Sequence, residues 1–241
     1  MRVYTHEGST PSPGTLIMHK QTRYRFSPNL AYIVGLITSD GSLSKDKRHV
    51  DFTSTDLQLL RTFKKCLSLK NRICEKGNSS KSKRKSYHLQ FGNVKLYNWL
   101  LKLGLMPNKT YHLGEMDIPK IYFRDFLRGH LDGDGSIVTY TDRYMSYKNR
   151  RYKYQRIYLT FYSSSLKHIE WIQSRIKEVF DIKGSLLGWN HKNSTIMLWK
   201  LRFAKNDSLK LLSWIYYKPD LPCLVRKRRI AERFLKNLTR N

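Results

Sequence analysis

The sequence IVGLITSDG at residues 33–41 has a counterpart, LRGHLDGDG, at residues 127–135. In each stretch a glycine is followed, at the same spacing, by an apolar residue, a small residue, an aspartate and another glycine. Apolar residues at helical spacing precede Asp40, so we predict a helix that ends there, with Gly41 in a left-handed closing position. The matching frame around Asp134 predicts a second helix of the same design.

Small residues recur one helical turn apart in both stretches, at Gly35 and Ser39 and again at Gly129 and Gly133. Small side chains at this spacing allow two helix backbones to approach closely. If the two helices pack through these positions, their C-terminal ends meet. The pattern therefore predicts that the two aspartates lie close together.

Each of the two stretches is also the first element of a longer repeat. Apolar periodicity and turn signals predict the order helix, two strands, helix, two strands, helix, and the same order then recurs. We therefore predict an α+β protein of two related αββαββα halves, at residues 28–116 and 117–241. Residues 1–27 precede them as an N-terminal arm, and the second half ends in a basic helix.

Charge is the dominant feature of the composition. The chain has 241 residues, with 46 Lys and Arg against 18 Asp and Glu, a formal net charge of +28. A globular chain this basic repels itself, and a polyanionic partner relieves the repulsion. We expect double-stranded DNA, which carries one phosphate charge per roughly 1.7 Å of axis, rather than an acidic membrane. No apolar run reaches the roughly 20 residues of a transmembrane helix.

The cysteines and the N-terminal sequence bear on the compartment. Cys66, Cys74 and Cys223 include no closely spaced pair, so they predict neither a disulfide framework nor a zinc site. No N-terminal apolar stretch is typical of a signal peptide. We expect an intracellular protein, of a prokaryotic cytoplasm or an organelle.

The expected pairing of Asp40 and Asp134 is electrostatically costly. A carboxylate at a helix C-terminus opposes the helix dipole by about 0.3–1 kcal/mol. Two carboxylates about 4 Å apart repel by roughly 4 kcal/mol at an effective dielectric of about 20. A divalent cation reverses the sign of this interaction, and oxygen ligands with room for phosphate and water suit Mg²⁺. The pair therefore predicts a site for Mg²⁺, or for Mn²⁺ or Ca²⁺ in its place, with a role in phosphodiester hydrolysis.

The two stretches resemble the signature motifs of the LAGLIDADG homing endonucleases, in the single-chain form that carries two motifs. The resemblance covers nearly everything after residue 28. It implies a monomer of two pseudo-twofold-related halves, whose curved four-stranded antiparallel sheets form a saddle over DNA, with Asp40 and Asp134 as metal ligands. Two residues depart from the motif, Thr38 in place of an aspartate and His130 within the second helix. These departures affect the capping contacts of the motif.

The same resemblance implies a basic residue near each metal site. Lys109, which follows the sequence GLMPN, matches the expected position in the first half. Lys227, within the sequence LVRK, resembles its counterpart in the second half. A lysine at such a position is expected to polarise the attacking water or to stabilise the pentavalent phosphorus.

Alternating strands predict a face that reads DNA, because successive side chains point to opposite sides of a sheet. The outward residues supply donors and acceptors for base edges in the major groove. These residues are His88, Gln90, Tyr154, Arg156, Tyr158, Lys200 and Arg202. Basic residues at the hairpin loops are expected to bind phosphates at the flanks of a long site. They are Lys81, Lys83, Arg84, Lys85, Arg143, Arg150 and Arg151.

Three functions are compatible with this pattern. A nuclease would cut both strands of a long duplex target, as an intron-encoded homing endonuclease does. An RNA maturase would use the same scaffold to help an intron RNA to fold, and a regulator would keep DNA binding without cleavage. The presence of both Asp40 and Asp134 favours the nuclease, because neither alternative needs two crowded acids.

Overall fold

The structure is a computed structural model, which describes residues 24–77, 85–145, 151–190 and 197–238. Within these residues the chain forms two successive units with the same order of elements, followed by one further helix. The α+β fold with two αββαββα halves, each containing a four-stranded antiparallel sheet, is therefore confirmed. The exact division of the chain into an arm and two halves stays a prediction.

The helices and strands follow the repeat in both units. The first unit consists of α1 (Pro28–Asp40), β1 (Gly41–Leu43), β2 (His49–Ser54), α2 (Leu57–Cys66), β3 (Cys74–Lys76), β4 (Ser86–Gly92) and α3 (Val94–Lys102). The second unit consists of α4 (Phe123–Asp132), β5 (Ser136–Met145), β6 (Arg151–Ser163), α5 (Leu166–Phe180), β7 (Ser185–Asn190), β8 (Met197–Phe203) and α6 (Lys205–Ile215). A short 3-10 helix precedes α4, and the last helix is α7 (Val225–Leu238). None of the helices described is both long enough and apolar enough to cross a membrane.

The two sheets have the same strand order, β1-β2-β4-β3 in the first unit and β5-β6-β8-β7 in the second. One face of each sheet packs against helices, and side chains on it such as Phe52, Leu89 and Phe161 are fully buried. The other face is open to solvent at residues such as Gln90 and Tyr154. Each unit therefore leaves one sheet face uncovered.

Local chemistry sets both ends of α1. The Ser27 hydroxyl oxygen accepts a hydrogen bond from the backbone N–H of Leu30 at 3.2 Å, and Pro28 occupies the first turn. The prediction of a left-handed Gly41 is wrong, because this residue has φ −90° and ψ 165° and begins β1 in an extended conformation. Glycine is still needed there, since a Cβ would lie 2.6 Å from the Cα of Ile37.

Helices α1 and α4 pack on each other at backbone contact. A Cβ added to Gly35 would lie 2.1 Å from a backbone oxygen of α4, and one added to Gly129 would lie 2.0 Å from the carbonyl oxygen of Tyr32. A Cβ on Gly133 would lie 1.9 Å from the hydroxyl oxygen of Ser39. Side chains of any size at these glycines would separate the helices. The small residues therefore bring the C-terminal ends of α1 and α4 together.

Candidate metal centre and nucleic-acid interface

The crossing of α1 and α4 places two carboxyl groups in direct contact. Asp40 is the last residue of α1, and Asp134 lies just beyond the end of α4. The carboxyl groups of Asp40 and Asp134 lie within hydrogen-bonding reach of each other. Burial, and then the charge of Asp134, raise the pKa of Asp40 to about 7. Burial also raises the pKa of Asp134, so the crowded pair favours a bound proton.

The donor atoms at this crossing fit a hard divalent cation. Both side chains offer oxygen ligands, and a cation would relieve the repulsion between them. Mg²⁺ commonly takes one or two carboxylates and completes its shell with water and phosphate oxygens. No cluster of three or more His, Cys, Asp or Glu side chains occurs in the part of the chain that the structure describes. A cavity of about 310 Å³, lined by Asp40, Thr53 and Gly133 among others, gives water and phosphate room beside the pair.

Lys227 is bound to the loop that carries Asp134. Its side chain is almost fully buried, and the three N–H groups of its ammonium group lie within hydrogen-bond distance of four carbonyl oxygens, so that at least one N–H is shared between two of them. These are Leu131 at 2.6 Å, Asp132 at 2.9 Å, Gly133 at 3.2 Å and Gly135 at 2.6 Å. Burial lowers the pKa of Lys227 to about 8. The ammonium group therefore neutralises the carbonyl end of α4, and its role towards water or phosphorus stays a prediction.

Lys109 has a looser setting at the end of α1. Within the described residues its ammonium group donates one hydrogen bond, to the carbonyl oxygen of Ser39 at 3.3 Å. Burial lowers the pKa of Lys109, whereas the charges of Asp134 and Asp40 raise it. The residue also borders a cavity of about 420 Å³. Because an ammonium group has three donors, Lys109 keeps capacity for a water or a phosphate oxygen.

The residue two positions before each acid differs between the halves. In the second half Asp132 is buried, and it accepts hydrogen bonds from the backbone N–H of Leu224 at 2.6 Å and from the Tyr32 hydroxyl at 2.9 Å. The first of these bonds caps the start of α7. In the first half the Thr38 hydroxyl instead donates to the carbonyl oxygen of Val34, at 2.7 Å within α1. The same hydroxyl lies 3.5 Å from the Met116 sulfur, so the departure at Thr38 replaces a hydrogen bond between the two halves by contacts within the first half.

Gln58 of α2 supports the site, although no sequence pattern indicated it. Its side-chain oxygen accepts from the backbone N–H of Val225 at 3.0 Å, and its side-chain nitrogen donates to the carbonyl oxygen of Cys223 at 2.9 Å. The first half thereby holds the N-terminus of α7, the helix that carries Lys227. These partners are 167 and 165 residues away from Gln58 in the chain, so local sequence gives no signal for them.

The predicted reading residues of the first half lie on the open face of its sheet. Gln90 is exposed and pairs with Asp51 of the neighbouring strand β2. The His88 ring nitrogen Nδ1 lies 3.2 Å from a carboxylate oxygen of the same Asp51. Lys85, just before β4, is exposed and lies 3.2 Å from a carboxylate oxygen of Glu75. The face is polar, and its contacts with DNA stay a prediction.

The second sheet brings its predicted reading residues onto one open face. The guanidinium carbon of Arg202 lies 3.8 Å from the centre of the Tyr158 ring, and Arg156 forms an ion pair with Asp142. A cavity of about 330 Å³ opens between the strands and the start of α6 on this face. The predicted reading residues on this face are Tyr154, Arg156, Tyr158, Lys200 and Arg202. That these residues bind DNA stays a prediction.

Most of the predicted phosphate contacts lie outside the described residues. Arg143 belongs to β5 and Arg151 to β6, and their backbones pair across the hairpin with Lys153 and Met145. The structure describes the backbones of these two arginines but not their side chains. The predicted residues that fall outside the described ranges are Lys81, Lys83, Arg84 and Arg150.

Comparison with known families identifies the first half. Residues 27–103, which extend from the cap of α1 to the end of α3, match the family described as LAGLIDADG-like domain. The first half therefore matches the model of this domain, and the second half repeats its order of elements. No match was found among curated protein sequences.

Solved structures share the fold over most of the chain. The meganuclease I-SmaMI bound to uncleavable DNA is 13% identical, and the match covers 86% of this chain and 89% of that chain with a TM-score of 0.57. The I-LtrWI LAGLIDADG homing endonuclease bound to target DNA is 14% identical, with coverages of 88% and 90% and a TM-score of 0.52. The N-terminal LAGLIDADG domain of WhiA is 15% identical, with coverages of 80% and 83% and a TM-score of 0.50. The chain spans 60% of full-length WhiA from Thermatoga maritima, at a TM-score of 0.47. At these identities the likeness establishes the two-half LAGLIDADG fold but not the activity, which has to be inferred from the residues of the site.

Proposed function

We propose that this chain is an intron-encoded homing endonuclease, which hydrolyses both strands of a long, specific duplex DNA target with divalent metal ions. The observation that carries the proposal is the close pairing of Asp40 and Asp134 at the ends of α1 and α4. Two acids in contact at the negative ends of two helices oppose folding. Their placement is useful when a cation and a phosphate bind there.

The chain's own residues suit this chemistry in distinct ways. Asp40 and Asp134 would hold the metal ion, which when bound activates water and stabilises charge on the phosphoryl group. Their raised pKa values mean that the pair gives up its bound proton when the site fills. Lys227 fixes the loop around Asp134 through backbone carbonyl oxygens. Lys109, with donors to spare, would hold a water or a phosphate oxygen.

The surface supports duplex DNA as the partner. A formal net charge of +28 favours a polyanion, and both sheets leave one face open. Two of the proteins that share the fold are nucleases with DNA bound. Because one chain supplies both halves and both acids, we infer that it acts as a monomer.

Selection of cleaved sites from a randomised duplex library in Mg²⁺ tests the proposal. The unaltered protein should recover a defined sequence, and chelation of the metal should stop cleavage but leave binding. Asp40→Asn and Asp134→Asn should each abolish cleavage and keep binding within a few-fold. Asp220→Asn, at an exposed residue outside the pair, is the matched control and should cleave normally.

The opposite results separate the alternatives. Cleavage that survives both substitutions would rule out this metal centre. Specific duplex binding without cleavage under any metal would identify a regulator. Binding to a structured intron RNA in preference to duplex DNA would identify a maturase.

A further inference from the structure

The open face of the second sheet carries large apolar side chains among its cations. Val138 is 47% exposed, Leu187 is 49% exposed and Trp189 is 51% exposed. Val138 pairs with Tyr158, and Leu187 pairs with Lys200, so these apolar side chains lie on the same face as the predicted reading residues. Val138 lies on β5 and the other two on β7, so these exposed apolar side chains flank the cations at the two edges of the sheet.

The first sheet has no such surface among its described residues. Its open face carries Asp51, Thr53, His88 and Gln90, all polar, in paired positions of β2 and β4. None of the large hydrophobic residues that are exposed in the described chain belongs to β1, β2, β3 or β4. Because the two sheets have the same strand order, the difference between their faces lies in side-chain chemistry.

Charge identifies the kind of partner that fits the second face. Lys200 lies between Leu187 and Tyr162 across the sheet, and Arg202 lies in the next outward-facing row. Apolar side chains alternating with cations suit a polyanion that also exposes apolar groups. In the major groove of duplex DNA the apolar group is the C5-methyl of thymine.

The tyrosines of this face are arranged for edge contacts rather than for stacking on unpaired bases. Tyr158 stacks on Tyr140, with ring centres 5.7 Å apart and planes 13° apart, and the guanidinium of Arg202 covers it at 3.8 Å. The ammonium group of Lys205 lies 4.5 Å from the centre of the Tyr154 ring. Base stacking on single strands needs free aromatic faces, so these contacts favour a duplex groove.

We propose that the second sheet reads thymine methyl groups through Val138 and Leu187, whereas the first sheet reads polar base edges. The target is therefore asymmetric, with 5-methyl pyrimidines specified in the half-site under the second sheet. This inference rests on the proposed function, because it requires that the chain binds duplex DNA.

Replacement of thymine by uracil tests the inference without altering the protein. Deoxyuridine removes only the methyl group and keeps base pairing. On a duplex recovered by selection, uracil substitution in one half-site should weaken binding by roughly three- to fivefold for each methyl contacted. The same substitution in the other half-site should change the Kd by less than about twofold.

A combined change in protein and DNA assigns the effect to the second sheet. The double variant Val138→Ser and Leu187→Ser, which removes every methyl group from both side chains, should bind the thymine and uracil duplexes nearly equally, because the contact has already been lost. The control is Val94→Ser with Leu101→Ser, the same substitutions at exposed positions of α3, and it should keep the full uracil effect.

Each outcome bears on a separate claim. Uracil substitutions that are neutral in both half-sites, on a duplex that the protein binds specifically, would overturn the methyl reading and leave the proposed function standing. An unchanged uracil effect in the sheet variant would also overturn it. Failure to bind any duplex would overturn both the proposed function and this inference.

Discussion

The carboxyl groups of Asp40 and Asp134 lie within hydrogen-bonding reach of each other, so the ends of two helices from different halves of the chain bring two acids together. This contact requires the close approach of α1 and α4, which glycines at the crossing allow. It places a titratable pair at the junction of the halves. The stability of the metal-free protein should therefore depend on the state of this pair.

Removal of one acid should stabilise the metal-free protein at alkaline pH. The pKa of Asp40 rises from 3.8 to about 7 on folding. Between about pH 4 and pH 7 the folded chain therefore binds more protons at this group than the unfolded chain, and stability falls as the pH rises. Asp40→Asn removes this loss, and we expect a gain of about 1–2 kcal/mol at pH 8, or roughly 2–8 °C in Tm.

Thermal unfolding in chelator at pH 5 and pH 8 measures this effect, with Asp220→Asn as the control. Addition of Mg²⁺ at pH 8 should raise the Tm of the unaltered protein and leave that of Asp40→Asn nearly unchanged. A variant that is less stable than the unaltered protein at pH 8 in chelator would contradict the electrostatic account.

Substitution of Lys227 should mainly lower stability, whereas substitution of Lys109 should mainly lower activity. Lys227→Met leaves four carbonyl oxygens without their donor, and we expect a loss of at least about 3 kcal/mol in the free energy of unfolding. Lys109→Met removes one hydrogen bond of 3.3 Å, so we expect a loss near 1 kcal/mol but a fall in kcat of about 100-fold. Urea unfolding and single-turnover cleavage distinguish the two residues, and equal stability losses would argue against the difference in their settings.

A methyl group at the crossing of α1 and α4 should separate the helices. Gly129→Ala places a Cβ 2.0 Å from the carbonyl oxygen of Tyr32, and we expect a cost of about 1–3 kcal/mol or more. Gly114→Ala is the control, because a Cβ there would have nothing within 4 Å. Calorimetry should show a lower Tm for Gly129→Ala alone. Equal Tm values for the two variants would show that the helices can part without cost.

Loss of the amide at Gln58 should loosen the start of α7. Gln58→Ala removes the bonds to Val225 and Cys223, at a cost of about 1–2 kcal/mol. Hydrogen exchange should quicken at the first turn of α7, and Mg²⁺ affinity should fall because Lys227 is carried by that helix. Gln173→Ala, which removes a side-chain bond to the carbonyl oxygen of Lys183 within the second half, should leave both measurements unchanged.

DNA binding should weaken steeply with salt. Each neutralised phosphate adds about 0.9 to the slope of log affinity against log salt concentration. Lys85→Ala, at an exposed predicted phosphate contact just before β4, should lower this slope by about 0.9. Lys102→Ala, in the last turn of α3, should leave it unchanged. A flat dependence for the unaltered protein would reject binding through an extensive basic surface.

The sequence predicted most of the elements because their signals are local. The cap at Ser27, the apolar spacing of α1 and the alternation of β6 depend on neighbours within a few residues. The prediction for Gly41 failed because glycine at a helix end is compatible with more than one backbone conformation. The immediate start of β1, and its pairing with β2, selected the extended one.

What the sequence by itself determined is the repeat, the charge and the presence of two acids in matching frames, since each can be seen in the order of residues. Tertiary structure alone decided that Lys227 binds four carbonyl oxygens while Lys109 binds one in the described residues. It also decided that Gln58 of the first half holds the helix at the end of the second. The physical reason is that a hydrogen bond depends on the final distance between donor and acceptor, and folding brings together groups that are far apart in the chain.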